Sequence, residues 1–373
     1  MRNSRSLAIV LTLLVSIQLG AALSSGSPFQ LPWQKSPRMA SPTMTEIKDQ
    51  QLQLPNGISA QVLSSFPSRK TNQPPLIFLH GSFHASWCWS EKFFGYFTAL
   101  GYPVVAMSWR GTGGTPAGDG VTKVKMEEHL QDLQGFLDQL PLILGDQYDG
   151  KNSIKPVLVS HSFGGITVMK YLDDNHKHDN QKRPDELFSG IISLCSVPPS
   201  GNGKMTMRFL RRSLRDSWKI TAGFAMKRAV TDTGLCRDLF FGGIPKPRDD
   251  GTVDNYGVSE EDVLRYQGYF KRDTDATIDV FDLAKQLPSK QIVDKKGGRA
   301  PFVAELPPCL VVGAKDDFIV DSQGTLETAN YYGLDEPVIV DSPHDVMLGA
   351  KWETTANVIH NWVQENVVAT NKK

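Results

Sequence analysis

Short apolar runs rich in β-branched residues alternate along the chain with segments whose apolar positions repeat every three to four residues. The first pattern predicts buried strands, and the second predicts helices that pack against them. Before them, polar and apolar residues alternate over 45–65 around a Pro-Asn-Gly turn, which predicts a β-hairpin at a sheet edge. Buried strands are predicted at 76–79, 104–107, 156–159, 190–195, 309–313 and 337–340.

Helices are predicted over 91–100, 126–140 and 352–367, and the polar segment 173–185 is expected to be a solvated loop. Strands that alternate with helices predict an α/β fold, in which a mostly parallel central sheet is flanked by helices. Between 198 and 300 this alternation stops, and charged helices broken by Gly and Pro replace it. We therefore expect a core in two parts, 46–197 and 301–368, with a helical cap inserted at 198–300.

The strand at 156–159 leads into S-H-S-F-G-G at 160–165 and then into an apolar run typical of a helix. A serine between small residues at a sharp strand-to-helix turn is the pattern of a nucleophile elbow, G-x-S-x-G. Ser160 stands at the first glycine position, where a small side chain lets strand and helix approach. Gly164 leaves the helix start open, where negative charge is stabilised. Ser162 is therefore the predicted nucleophile.

Composition excludes several classes of partner and cofactor. The 373 residues include 40 Lys and Arg and 40 Asp and Glu, so no net charge would recruit nucleic acid. The four cysteines, at 88, 195, 236 and 309, form neither a C-x-x-C motif nor a metal-ligand spacing. We predict no metal site and no cofactor, and we expect Cys195 and Cys309 to be buried thiols because they lie in apolar runs.

The first 45 residues contain no acidic residue. Two arginines precede an apolar run at 7–19, and small residues follow it, which predicts a secretory signal peptide over 1–24. A membrane span would need roughly 20 apolar residues. Residues 25–45 are rich in Ser and Pro and carry Lys35 and Arg38, so they are a linker or the second part of a bipartite plastid presequence. Entry into the secretory pathway is the prediction, with the plastid as the alternative.

Two further motifs carry a resemblance to known proteins. The sequence H-G-S-F-H-A-S-W-C-W at 80–89 is similar to the opening of plant methylesterases and hydroxynitrile lyases. The sequence S-P-H-D-V-M-L at 342–348 resembles the histidine loop of the same proteins. Together with the elbow, these motifs make the chain similar to α/β-hydrolases of the serine esterase type over 46–197 and 301–368. The resemblance implies the α/β-hydrolase fold and the cleavage of esters.

A serine nucleophile needs a base, and the base needs an acid that orients it. The chain order serine, acid, histidine selects His344, the histidine that follows the last strand. The acid should follow the strand at 310–312, where Asp316 and Asp317 compete. Counting from the glycine at the strand end favours Asp316, whereas the apolar pair at 319–320 resembles the D-x-I-V of these hydrolases. We predict Asp317, because that pair anchors the loop and fixes which side chain turns inward, and Asp316 is the alternative.

The other seven histidines are predicted to stand outside this triad. Two precede the nucleophile in the loop after the first parallel strand, and His161 is expected to point away from the reaction centre. The remaining four are assigned to helices or to the polar loop. The seven are His80, His84, His129, His161, His176, His178 and His360.

Attack on an ester carbonyl places negative charge on oxygen, and backbone N–H groups must receive it. One donor should be Phe163, directly after the nucleophile. In the resembling esterases the second donor is the residue next to the glycine of the H-G motif. That residue is Ser82 here, with Phe83 as the alternative.

A basic amphipathic helix is predicted at the start of the cap, over 207–219. Its apolar residues pack over the pocket in one interpretation, and its charges contact an anionic lipid surface or an acidic substrate in the other. Peripheral membrane contact is therefore a candidate partner interaction. The basic residues at helical spacing are Arg208, Arg211, Arg212, Arg215 and Lys219.

These observations predict a serine hydrolase that cleaves small-molecule or lipid esters through an acyl-enzyme on Ser162. Acyl transfer and lyase chemistry on the same fold are the alternatives within the enzyme class, since fold does not fix function. A ligand-binding protein without activity is the alternative from another class. An aspartate nucleophile, as in epoxide hydrolases and dehalogenases of this fold, is excluded because the elbow carries serine.

Overall fold

The computed structural model describes residues 46–150, 153–177, 182–213, 218–225, 227–243, 246–247, 253–254, 258–290 and 298–372. The predicted signal peptide at 1–24 and the presequence or linker at 25–45 lie outside the described residues. Among the helices that are described, none combines the length and apolar character required to span a membrane.

Eight strands form one sheet, in the order β1-β2-β4-β3-β5-β6-β7-β8. The hairpin β1–β2 and the pair β2–β4 are antiparallel, and every other neighbouring pair is parallel. The prediction of a mostly parallel sheet, with the hairpin at its edge, is confirmed. The strands are β1 Lys48–Gln53, β2 Ser59–Ser65, β3 Leu76–Leu79, β4 Val104–Met107, β5 Val157–His161, β6 Gly190–Leu194, β7 Cys309–Ala314 and β8 Val338–Val340.

Helices connect these strands, and several of them lie in the inserted segment between β6 and β7. Two pairs of two-residue strands add to this framework, Lys123–Val124 with Thr277–Ile278 and Lys246–Pro247 with Val253–Asp254. The helices are α1 Trp87–Ser90, α2 Phe93–Ala99, α3 Met126–Leu144, α4 Phe163–His176, α5 Pro184–Leu187, α6 Asn202–Arg212, α7 Thr233–Cys236, α8 Glu260–Arg272, α9 Val280–Lys285, α10 Ser322–Tyr331 and α11 Trp352–Val363.

Both faces of the sheet are covered, because successive side chains of a strand point to opposite faces. In β3, Leu76 and Phe78 belong to one apolar cluster, whereas Ile77 and Leu79 belong to the other. Residues of α2 and α11 complete the first cluster, and residues of α3, α4 and α10 complete the second. The prediction of a central sheet flanked by helices is therefore confirmed.

The expectation of a solvated loop over 173–185 is wrong at its start. Helix α4 continues to His176, and the side chain of Asp173 is only 1% exposed. Lys177, four residues further along, forms an ion pair with that carboxylate. A charged side chain is buried here because a partner one helical turn away compensates it, which composition alone does not reveal.

The basic helix predicted over 207–219 is also wrong as a continuous element. Helix α6 ends at Arg212 because Ser213 has extended backbone, with φ −162° and ψ 120°. Among the described side chains of this segment, Arg208 forms an ion pair with Asp321 and Lys219 forms one with Asp238. Arg215 lies outside the described residues.

At Gly164, near the start of α4, the helix backbone packs closely against the end of β3 and the residue after it. A Cβ atom at Gly164 would lie 2.7 Å from the carbonyl oxygen of His80 and 2.9 Å from that of Leu79. Gly164→Ala should therefore lower the free energy of unfolding by about 1–3 kcal/mol, measured by denaturant titration.

The matched control is Gly268→Ala, in the middle of α8, where the added Cβ would meet nothing within 4 Å beyond its chain neighbours and the helix's own backbone. This change should raise stability by about 0.5–1 kcal/mol through helix propensity. Equal stability of Gly164→Ala and the unmodified protein would contradict the close approach.

Candidate active site

Ser162 occupies the sharp turn between β5 and α4. Its backbone has φ 52° and ψ −116°, a conformation that L-residues rarely adopt and that stores of order 1–3 kcal/mol. Backbone hydrogen bonds hold this turn in place. The N–H of Ser162 donates to the carbonyl oxygen of Leu194, at the end of β6, at 3.0 Å. The carbonyl of Ser162 accepts from Gly165 N at 3.1 Å and from Val197 N at 3.0 Å. These bonds fix the serine side chain beyond the end of the strand.

The structure brings three of the predicted side chains together. His344 Nε2 lies 3.1 Å from Ser162 Oγ, and His344 Nδ1 lies 2.8 and 2.9 Å from the two carboxylate oxygens of Asp317. Because a carboxylate accepts, Nδ1 carries the hydrogen of the neutral ring, which leaves Nε2 to accept the hydroxyl proton. The arrangement can therefore convert the hydroxyl of Ser162 into a nucleophile.

The carboxylate of Asp317 is fixed by its own loop. Its Oδ1 accepts from Ile319 N and from Val320 N, both at 2.8 Å, and its side chain is only 2% exposed. Ile319 and Val320 are buried and anchor this turn, as the sequence interpretation assumed. Asp316 is exposed, and its backbone N–H donates to Ser342 O at 3.1 Å.

Electrostatics distinguish His344 from its neighbours. Burial lowers its pKa, but the charge of Asp317, the hydrogen bond to it and the charge of Asp345 together raise the pKa above 6.5. By contrast, burial lowers the pKa of His80 to about 3 and that of His161 well below 6.5. A base with a raised pKa accepts a proton more readily than an ordinary imidazole.

The predicted oxyanion donors lie beside Ser162. Phe163 is the first residue of α4, where N–H groups have no partner inside the helix. A Cβ atom at Gly81 would lie 2.7 Å from Ser162 Cβ, so the loop that continues through Ser82 and Phe83 approaches the serine closely. Phe83 is buried and has φ 69°, in the left-handed region. Phe163 and the loop that carries the other two candidate donors are thus both adjacent to Ser162.

Sequence reasoning missed three side chains of this site. His161 does not point away from the centre, because its Nε2–H donates to the carbonyl of His344 at 3.0 Å and the two rings are 4.8 Å apart. His84 Nε2 contacts the carboxylate of Asp345 at 2.9 Å, and both side chains are buried. A signal for Asp345 existed, since it is the one charged residue in the stretch 342–348.

Aromatic residues of the inserted segment lie close to the site. The ring of Phe240 lies 5.8 Å from Phe83 and 6.4 Å from His344, and Phe270 lies 5.0 Å from Phe240. The carbonyl of Phe240 accepts a hydrogen bond from Asp345 N at 3.1 Å. Side chains from 198–300 therefore contribute directly to the surroundings of Ser162.

Two groups of described residues could each present three metal ligands. One comprises His161, His344 and Asp345, and the other comprises Cys195, Asp317 and His344. Both would need His344, whose two ring nitrogens already bond to Ser162 and Asp317. Metal binding at either group would compete with the arrangement that activates the serine.

The chain is similar in sequence to a known protein family and to a plant protein. The model of the alpha/beta hydrolase family matches residues 76–358. The chain is 26% identical over 132 residues to Methylesterase 2 of Arabidopsis thaliana, a match that covers 35% of this chain and 43% of that protein.

Solved structures of the same architecture are similar over most of the chain. A carboxylesterase of Nitrososphaera gargenis is 16% identical, with TM-score 0.56, covering 87% of this chain and 100% of that one. An epoxide hydrolase of Vigna radiata is 18% identical, with TM-score 0.51, covering 87% and 99%. At these identities the likeness concerns the fold, in which enzymes of different chemistry occur.

The raised pKa of His344 predicts a pH dependence. Its imidazole can accept the serine proton only when it is neutral, so reactivity should be lost as pH falls through that pKa. We expect the rate at which a fluorophosphonate modifies Ser162 to rise with pH through a midpoint above 6.5. A midpoint at or below 6.5 would contradict the influence of Asp317.

The two neighbouring acids can be separated by the same measurement. Asp317→Asn removes the charge at Nδ1 and allows the wrong tautomer, so the modification rate should fall by about 10³- to 10⁴-fold. Asp316→Asn is the matched control and should change it little, because that side chain is exposed. The reverse pattern would transfer the role to Asp316.

Proposed function

Because the chain belongs to the alpha/beta hydrolase family, we propose that it is a serine hydrolase that cleaves carboxylic esters through an acyl-enzyme on Ser162. The observation that supports this most directly is the contact of 3.1 Å between Ser162 Oγ and His344 Nε2, with Asp317 on the other ring nitrogen. A hydroxyl, a base and an orienting acid in this order are what acyl transfer to serine requires.

In the proposed reaction, His344 takes the hydroxyl proton as Ser162 attacks the ester carbonyl. Asp317 stabilises the imidazolium that forms, and the N–H of Phe163 meets the developing oxyanion together with that of Ser82, or of Phe83 as the alternative. His344 then returns the proton to the leaving alcohol. A water molecule, deprotonated by His344, then attacks the acyl-enzyme. As the tetrahedral intermediate collapses, His344 returns this proton to Ser162 Oγ and the carboxylic acid is released.

The fold alone would also fit an epoxide hydrolase, since one of the similar structures is such an enzyme. An epoxide hydrolase of this fold attacks with an aspartate carboxylate, which yields an ester that water then hydrolyses. The nucleophile position of this chain carries Ser162, whose attack on an epoxide would yield a stable ether. Ester cleavage is therefore the proposal that agrees with the side chain at the elbow.

The surroundings of Ser162 indicate which substrates fit. Phe83 comes from the loop after β3, and Phe240 and Phe270 come from the inserted segment, so the cover of the site is aromatic. Aromatic and aliphatic groups gain free energy when such surfaces remove them from water, at about 25 cal/mol per Å². We propose small-molecule or lipid esters with an apolar group as the substrates.

The proposal is tested by labelling and turnover. A fluorophosphonate should modify one peptide, the one that contains Ser162, and p-nitrophenyl esters of increasing chain length should be hydrolysed to free acid. Ser162→Ala should abolish both signals, whereas Ser90→Ala, at the end of α1, should retain them. Labelling or hydrolysis that survives in Ser162→Ala would refute the acyl-enzyme, and transfer of the acyl group to an added alcohol instead of water would identify a transferase.

A further inference from the structure

A buried pair of ionisable side chains joins the two loops that meet at Ser162. His84 lies on the loop after β3, close behind the oxyanion candidates, and Asp345 directly follows the base on the loop after β8. Their contact measures 2.9 Å, and the two side chains are 1% and 0% exposed. The partners are 261 residues apart in the chain, so the contact exists only in the folded protein.

The hydrogen bonds of His84 fix its ring at both ends. Nδ1 lies 2.7 Å from the carbonyl oxygen of Ser82, and since a carbonyl only accepts, Nδ1 must carry a proton. Nε2 faces a carboxylate oxygen of Asp345, so one further proton is shared across that contact. Rotation of the imidazole would break both bonds at once.

This ring controls the direction of a peptide group beside the nucleophile. The N–H and C=O of a trans peptide point in opposite directions, so holding the carbonyl of Ser82 sets the direction of the N–H of Phe83. The peptide before it is held in the same way, since His80 Nδ1 donates to the carbonyl of Gly81 at 2.8 Å. Both candidate oxyanion donors in this loop thus belong to peptides that a histidine orients.

Packing alone does not account for the pair. The ring of His84 lies among aromatic side chains, 5.7 Å from Trp87, 5.9 Å from Phe240 and 4.8 Å from Phe270. An apolar side chain could fill this site without the free-energy cost of removing two ionisable groups from water. A buried ionisable pair often stabilises a protein no more than well-packed apolar residues do. The hydrogen bonds to Ser82 and to Asp345 are what an apolar residue could not supply.

We propose that His84 and Asp345 are positioning residues for the oxyanion loop, defined as residues 81–83. The pair fixes the loop's N–H groups relative to His344, because Asp345 is the next residue in the chain after that base. The inference rests on the proposed ester hydrolysis, in which these N–H groups stabilise the tetrahedral intermediate. Neither residue touches the reacting atoms in this scheme.

The experiment compares kcat, KM and the affinity for a boronic acid, which forms a tetrahedral adduct with an active-site serine. His84→Phe keeps an aromatic ring in aromatic surroundings but cannot orient Ser82. Its kcat should fall by about 10- to 100-fold with KM little changed, and boronate affinity should fall by the same factor. Asp345→Asn can still donate to a neutral His84 Nε2, so it should retain most of kcat.

A double variant tests whether the two residues act as a unit. The double variant His84→Phe with Asp345→Leu should lose no more activity than His84→Phe alone. The reason is that the same contact, between His84 and Asp345, is already lost in the single variant. The matched control is His176→Phe at the opposite end of α4, whose Nδ1 contacts Glu305 at 3.2 Å and which is partly exposed. This control should leave kcat and boronate affinity unchanged.

The outcomes separate this inference from the proposed function. If the unmodified protein neither hydrolyses esters nor reacts with a fluorophosphonate at Ser162, the proposed function fails. If it does both, and His84→Phe keeps its kcat and boronate affinity, the positioning role is overturned while ester hydrolysis stands. The positioning role is also overturned if the double variant loses clearly more activity than His84→Phe alone. It is overturned as well if His176→Phe loses as much activity as His84→Phe. Should His84→Phe not fold, His84→Leu, which also has no donor for the carbonyl of Ser82, takes its place with the same criteria.

Discussion

The close approach of β5, α4 and the loop after β3 at Ser162 is the constraint on which the site depends. The backbones meet at two glycines, Gly81 and Gly164. A Cβ atom at either position would clash, because it would lie 2.7 Å from Ser162 Cβ or from the carbonyl oxygen of His80, respectively. The strained torsions of Ser162 persist because peptide hydrogen bonds from β6 and α4 surround them. The turn therefore places the hydroxyl of Ser162 next to the N-terminus of α4.

Buried polar groups then set the chemistry at that point. Three histidines near the serine are each held by a hydrogen-bond partner: His80 by the carbonyl of Gly81, His161 by that of His344, and His344 by Asp317. Burial alone lowers an imidazole pKa, as it does for His80 and His161. His344 differs from these two because an anion faces its Nδ1, so its pKa rises although it is equally buried.

Much of this arrangement could be predicted from local patterns. Strand positions followed from apolar runs, and the location of Asp317 at the imidazole followed from the buried pair after it, because that pair fixes the direction of a short turn. Two of the failures concern local features, an ion pair within one helical turn and the backbone of a single residue. The burial of Asp173 depends on Lys177, and the end of α6 depends on the backbone of Ser213, neither of which hydrophobic periodicity registers.

The contact of His84 with Asp345 shows why the rest of a site resists prediction from one sequence. Each residue lies in a motif that indicates something else, since His84 belongs to the loop after β3 and Asp345 is the neighbour of the base. Their relation depends on the sheet order, which places the ends of β3 and β8 around the same serine although three strands, β5 to β7, separate them. A fold can thus be inferred from periodicity, whereas the partner that orients a catalytic loop requires the tertiary structure.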